Sequence, residues 1–179
     1  MDILSFIVQQ TMFFAIPLLI VATGGMYSER SGVINIALEG IMVIGAFCGI
    51  FFINIFQKNM SGQGLLLLAI LIAGISGGLF SLLHAFAAIN MKADQTISGT
   101  ALNMFAPAFV IFTARMIQKI QQVQFTDTFR IDAVPVLSSI PVIGDMFFKK
   151  AYITTYIGLL IFALAAFVIK YTRFGLRLR

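Results

Sequence analysis

Five apolar stretches separated by polar turns set the pattern of this chain, covering about Ile3–Met26, Val33–Phe56, Leu65–Asn90, Thr96–Ile117 and Ala151–Ile169. At about 1.5 Å of rise per residue, each is long enough for a hydrocarbon core of about 30 Å, and such runs predict bilayer-spanning helices. Pro17 lies inside the first, and Pro107 interrupts the fourth. Gly99 and Pro107 together predict a broken or kinked fourth helix. The turns are QKNMSGQG after the second stretch and MKADQ after the third. A longer connection, QKIQQVQFTDTFRIDAVPVLSSIPVIGDMFFKKA, precedes the fifth, and Pro135 and Pro141 break regular helix there. Its second half, VPVLSSIPVIGDMFF, is apolar enough to lie at the interface or to dock over the bundle. Docking is preferred, because prolines and an aspartate insert poorly. The expected fold is all-α: a polytopic membrane helix bundle of about five transmembrane segments, some broken or kinked.

Composition strengthens this reading. Of 179 residues, 60% are hydrophobic and 11% charged, where a soluble domain carries about 45–50% and about 25%. The formal net charge of +5 does not point to nucleic acid, because the cations sit at segment ends and in the C-terminal tail. The single cysteine, Cys48, excludes an internal disulfide and a cysteine-rich metal site. The first apolar stretch lacks a basic lead and runs too long for a cleavable signal peptide, so it is expected to remain as a span. Charge leaves orientation open. Arg30, Lys92, Lys170, Arg173, Arg177 and Arg179 would fall on one side, and Lys58, Arg115, Lys119, Arg130, Lys149 and Lys150 on the other.

Polar groups inside these stretches carry the candidate chemistry. Asn35 and Glu39 are four residues apart, which on a helix puts them on one face with Ser31. An acidic residue at a helix centre costs about 2.5–3.5 kcal/mol to insert, and less near an interface. The pair is therefore either a polar clasp to a neighbouring helix or the lining of a solute path. In the fourth stretch Thr96, Thr100 and Asn103 recur on one face, while Ser98 is expected to bond back to its own helix. Gly45 and Gly49, and Gly74 and Gly78, form two G-x-x-x-G pairs that allow close helix packing.

Catalysis is not supported. Gly74-Ile75-Ser76-Gly77 matches the G-x-S-G of intramembrane serine proteases. On one helix, however, Ser76 and His84 lie about 12 Å apart along the axis and about 80° apart around it. His84 reads as a packed or interfacial side chain. One histidine and scattered carboxylates give no metal site, no cofactor is implied, and no phosphate-binding loop appears.

Four blocks then occur in order: SERSGVINIALEG (Ser28 to Gly40), ADQTISGTALN (Ala93 to Asn103), IPVIGDMFFKK (Ile140 to Lys150) and TRFGLRLR (Thr172 to Arg179). In these the chain resembles the permease subunits of bacterial ribose-type ABC importers, most nearly those for nucleosides. The resemblance implies a multi-pass protein of the bacterial cell membrane. It also implies a second permease subunit, a separate ATPase subunit and an extracellular or periplasmic solute-binding lipoprotein or protein as partners.

Carried over to this chain, the resemblance makes Ser31, Asn35 and Glu39 part of a polar region of the second helix. It places Gln95, Ser98, Thr100 and Asn103 beside the translocation path. Arg173, Phe174, Gly175 and Arg177 become the cytoplasmic approach to the loop that meets the ATPase, and the long connection faces outward. Members of the family run to about 300 residues, so residues 1–179 are expected to be the N-terminal portion of one permease domain. The alternatives are a permease for simple sugars or riboflavin, or a membrane scaffold that moves nothing.

Overall fold

A computed structural model describes residues 2–126, 129–133 and 149–178. It contains helices α1 (Asp2–Arg30), α2 (Leu38–Phe56), α3 (Gln63–Ile89) and α4 (Gln95–Gln118), strands β1 (Arg130–Ala133) and β2 (Lys149–Tyr152), and helices α5 (Ile153–Tyr171) and α6 (Arg173–Arg177). Five of these, α1 to α5, are long and apolar enough to cross a membrane. The expected helical membrane bundle is therefore what forms. The docking or interfacial segment VPVLSSIPVIGDMFF lies outside the described residues.

The chain divides into two units, Ser28–Thr128 and Met1–Tyr27 with Phe129–Arg179. The first contains α2, α3, α4 and the lead-in to α2. Its core is built on small residues. A side-chain carbon at Gly45 would lie 2.9 Å from the Ala73 carbonyl oxygen, and one at Gly49 would lie 3.0 Å from that of Ala69. Backbones this close gain dispersion contacts that lipid cannot replace. The second G-x-x-x-G pair behaves differently, since Gly74 and Gly78 meet nothing within 4 Å. It is Gly77, between them, that packs on α2 beside Ile41 and Gly45. The motif thus predicted the packing face of α2 but not that of α3.

Helix ends follow from local chemistry. Asp94 caps α4, its carboxylate accepting from the amides of Thr96 (2.8 Å) and Ile97 (3.0 Å). α4 runs unbroken through Gly99 and Pro107, which corrects the expectation of a break there. Missing side-chain atoms at Gly99 serve a close approach instead, described below. α1 continues past Met26 through Tyr27–Arg30 and ends on Gly32 at φ 87°. The Gly32 amide donates to the Glu29 carbonyl (3.0 Å) and that of Val33 to Ser28 (3.2 Å). This pair of bonds closes a helix on a left-handed residue, where glycine carries no steric cost.

The second unit pairs α1 with α5. Tyr27 donates from its hydroxyl to the Ala165 carbonyl at 2.7 Å, and Gly158 lies against Ile16 and Ile20. β1 and β2 pair antiparallel with Arg130 opposite Tyr152 and Ala133 opposite Lys149, and β2 runs directly into α5. The sequence reading did not foresee this pair, because RIDA and KKAY hold a single β-branched residue between them.

Candidate functional site

The stretch Val33–Ala37 is the interruption in this bundle. Its apolar character reads as the start of the second helix, yet α2 begins only at Leu38. Backbone groups freed from a helix in a membrane must find partners within the protein, and here side chains from α3 and α4 supply them. Gln95 Oε1 accepts from the Ile34 amide at 2.7 Å. The Ile34 carbonyl lies 3.2 Å from His84 Nε2. Asn103 donates from Nδ2 to the Ile36 carbonyl at 2.7 Å, and its Oδ1 accepts from the Gly40 amide at 2.7 Å. The second bond caps α2 from another helix, because Ala37 offers no side-chain cap. Asn35 turns inward on its own segment, accepting from the Ala37 amide at 3.1 Å. A side-chain carbon at Gly99 would stand 2.8 Å from Ile36 Cβ and 3.1 Å from the Ala37 nitrogen. Only glycine lets α4 lie this close.

The six residues expected beside a solute path therefore divide by what their polar atoms do. Gln95 and Asn103 bind main-chain groups of the interrupted stretch. Ser98 does not bond back to its own helix, correcting that expectation; its Oγ sits 3.2 Å from His84 Nδ1. Thr100 does bond back, to the Thr96 carbonyl at 2.8 Å, and is exposed. Asn35 is not on a helical face with Glu39, since it precedes α2. Glu39 is exposed, in the first turn of α2, and forms no hydrogen bond or ion pair with the described residues.

His84 and Ser98 form a serine–histidine contact between helices, not within one. It lacks the rest of a hydrolytic site. A carbonyl, not a carboxylate, takes the other imidazole nitrogen, and the described residues hold no group of three or more metal-ligating side chains. His84 is packed, as expected, but its bonds to Ser98 and to the Ile34 carbonyl are not foreseen by the sequence. A lone histidine 14 residues ahead of Ser98 gives no periodic signal for that partner.

A second strap ties the opposite end of α2. Asn54 donates to the Gln124 carbonyl at 2.6 Å and accepts from Gln118 Nε2 at 3.0 Å. Gln57 Oε1 accepts from the Thr126 amide at 3.1 Å. In the other unit, Thr172 caps α6, accepting from the Gly175 amide at 3.3 Å. Gly175 is buried against the Ile169 carbonyl, leaving Arg173, Phe174 and Arg177 exposed on a single turn of helix.

Comparison with known proteins gives this architecture its relatives. Residues 7–179 match the family described as the branched-chain amino acid transport system / permease component. The guanosine ABC transporter permease protein NupQ of Bacillus subtilis (strain 168) is 43% identical over 99% of this chain and 56% of its own length. The nucleoside ABC transporter permease protein NupC of Lactococcus lactis subsp. cremoris (strain MG1363) is 40% identical over 98% of this chain and 55% of its own. The chain thus spans about half the length of the curated relatives it matches. No solved structure matches it. With five apolar helices and these relatives, the protein is a multi-pass protein of the bacterial plasma membrane. A match over nearly every residue shows that the chain belongs to the branched-chain amino acid transport system permease family.

Proposed function

We propose that the chain forms part of the translocation path of a binding-protein-dependent ABC importer for nucleosides. ATP is hydrolysed on a separate subunit, a second permease subunit completes the path, and a solute-binding protein delivers the cargo. These five helices form one portion of the wall. The observation that carries the reading is the near-complete match to two nucleoside permeases at 43% and 40% identity. The geometry supports it through Glu39. An uncovered carboxylate is costly against acyl chains but acceptable beside water or polar solute. Its two oxygens accept hydrogen bonds, which suits the hydroxyls of a ribose or the amino group of a base. Gln95 and Asn103 shape this wall by holding the stretch before α2, Ser98 acts on it only through His84, and Asn35 and Thr100 complete its polar edge. Arg173, Phe174, Gly175 and Arg177 form the approach to the ATPase.

Uptake of radiolabelled guanosine tests this, with the permease expressed beside its ATPase and binding protein in cells lacking other nucleoside uptake. A hydrogen bond to a charged group contributes about 1.5–3 kcal/mol, so Glu39→Gln is expected to reduce uptake about tenfold or more. Glu39→Leu reduces it further at equal protein level in the membrane. Parental uptake by both variants would remove Glu39 from the path, and absence of guanosine uptake by the parent would overturn the assignment of solute.

A further inference from the structure

His84 is 2% exposed, and both of its ring nitrogens have partners. A carbonyl oxygen only accepts, so Nε2 carries the hydrogen that meets Ile34. In the neutral ring this leaves Nδ1 to accept from the Ser98 hydroxyl. One imidazole therefore joins α3, the interrupted stretch and α4. Ile34 is held on both of its backbone groups, the amide by Gln95 at 2.7 Å and the carbonyl by His84 at 3.2 Å. Five residues further on, Glu39 leaves the first turn of α2. His84 and Gln95 hold Ile34 at the start of this short stretch and Asn103 holds Ile36 and Gly40 at its end, so the path of the chain into that turn is set at both ends.

We infer that His84 is the positioning residue of this site: by fixing the Ile34 carbonyl it sets where Glu39 presents its carboxylate. The inference rests on the proposed role of Glu39 in the solute path. The role needs a hydrogen-bond donor at the reach of Nε2, not merely a filled volume. Glutamine and methionine are similar in length, but only glutamine ends in an amide that can donate to Ile34. A packing role treats the two substitutions alike, whereas a positioning role separates them.

The test uses the permease assembled with its ATPase and binding protein, with two readouts. In guanosine uptake, His84→Met is expected to raise KM about tenfold, the equivalent of one lost hydrogen bond of ordinary strength, while His84→Gln stays within about threefold of the parent. For the second readout, a nitroxide is attached at Ile34→Cys in a chain carrying Cys48→Ala. Its electron paramagnetic resonance spectrum is expected to gain a fast component in His84→Met and to keep the parental line shape in His84→Gln. If His84→Met fails to reach the membrane, His84→Asn replaces it, since its shorter amide reaches only the Ser98 side. Equal behaviour of the Gln and Met (or Asn) variants in both readouts overturns the inference, as does a mobile nitroxide with unchanged uptake. If the parent takes up no guanosine, the solute assignment fails, and the nitroxide spectra alone then decide the strap.

Discussion

Replacing Asn103 by leucine is expected to cripple the protein, and for a reason confined to a few atoms. The Asn103 amide donates to the Ile36 carbonyl and accepts from the Gly40 amide, both at 2.7 Å. Leucine is nearly the same size and removes both bonds at once. A backbone group left without a partner away from water costs about 1–3 kcal/mol. Interhelical hydrogen bonds in membranes average less, about 0.6 kcal/mol, because the reference state finds other partners. That discount is small here. The freed groups are the Ile36 carbonyl, in the non-helical stretch, and the Gly40 amide, in the first turn of α2. They can bond each other only if that stretch rewinds into helix, where Gly99 already lies close against Ile36. A loss of about 2–4 kcal/mol is expected, read as a marked drop in the temperature at which the detergent-solubilised protein aggregates. Asn103→Asp keeps an acceptor for Gly40 but turns a second acceptor towards Ile36, so it falls between parent and leucine. An unchanged aggregation temperature for Asn103→Leu would mean that the stretch before α2 is held by something else.

The second large effect is expected at Gly45. A side-chain carbon added there lies 2.9 Å from the Ala73 carbonyl oxygen, closer than such carbons approach backbone. Gly45→Leu adds three more carbons beyond it. The obstacle is main chain of α3, which cannot swing away as a side chain would, so α2 and α3 must separate. Overpacking in cores costs about 1–3 kcal/mol, and here the upper end applies. Gly74→Leu is the matched control. It lies on the same helix pair with nothing within 4 Å, and is expected to leave the solubilised chain as stable as the parent. Equal losses at Gly45 and Gly74 would show that the α2–α3 interface has been placed on the wrong face.

These two residues also mark how far the sequence could be read. The spans were legible because hydrocarbon demands an apolar length that few other structures need. Leu65–Asn90 was expected where Gln63–Ile89 forms, and Thr96–Ile117 where Gln95–Gln118 forms. The start of α2 was misplaced by five residues, because Val33–Ala37 is apolar enough to continue a helix. What stops it are Gln95 and Asn103, more than sixty residues later, and the approach of Gly99. No local pattern records such partners. Likewise a G-x-x-x-G pair announces a close contact without naming its side, so Gly45 and Gly49 met the expectation while Gly77 displaced Gly74 and Gly78. Among the site residues, the polar face of α4 was legible in its spacing. That Gln95 and Asn103 spend their amides on backbone, leaving Glu39 uncovered, required the fold.

The uncovered Glu39 carboxylate is expected to face solute-bearing water. Glu39→Cys in a chain carrying Cys48→Ala, labelled in intact membranes by a membrane-impermeant maleimide, measures this most directly. Ready labelling that guanosine and binding protein together slow is the predicted result. A cysteine that reacts only with a lipid-soluble maleimide, indifferent to guanosine, would contradict it.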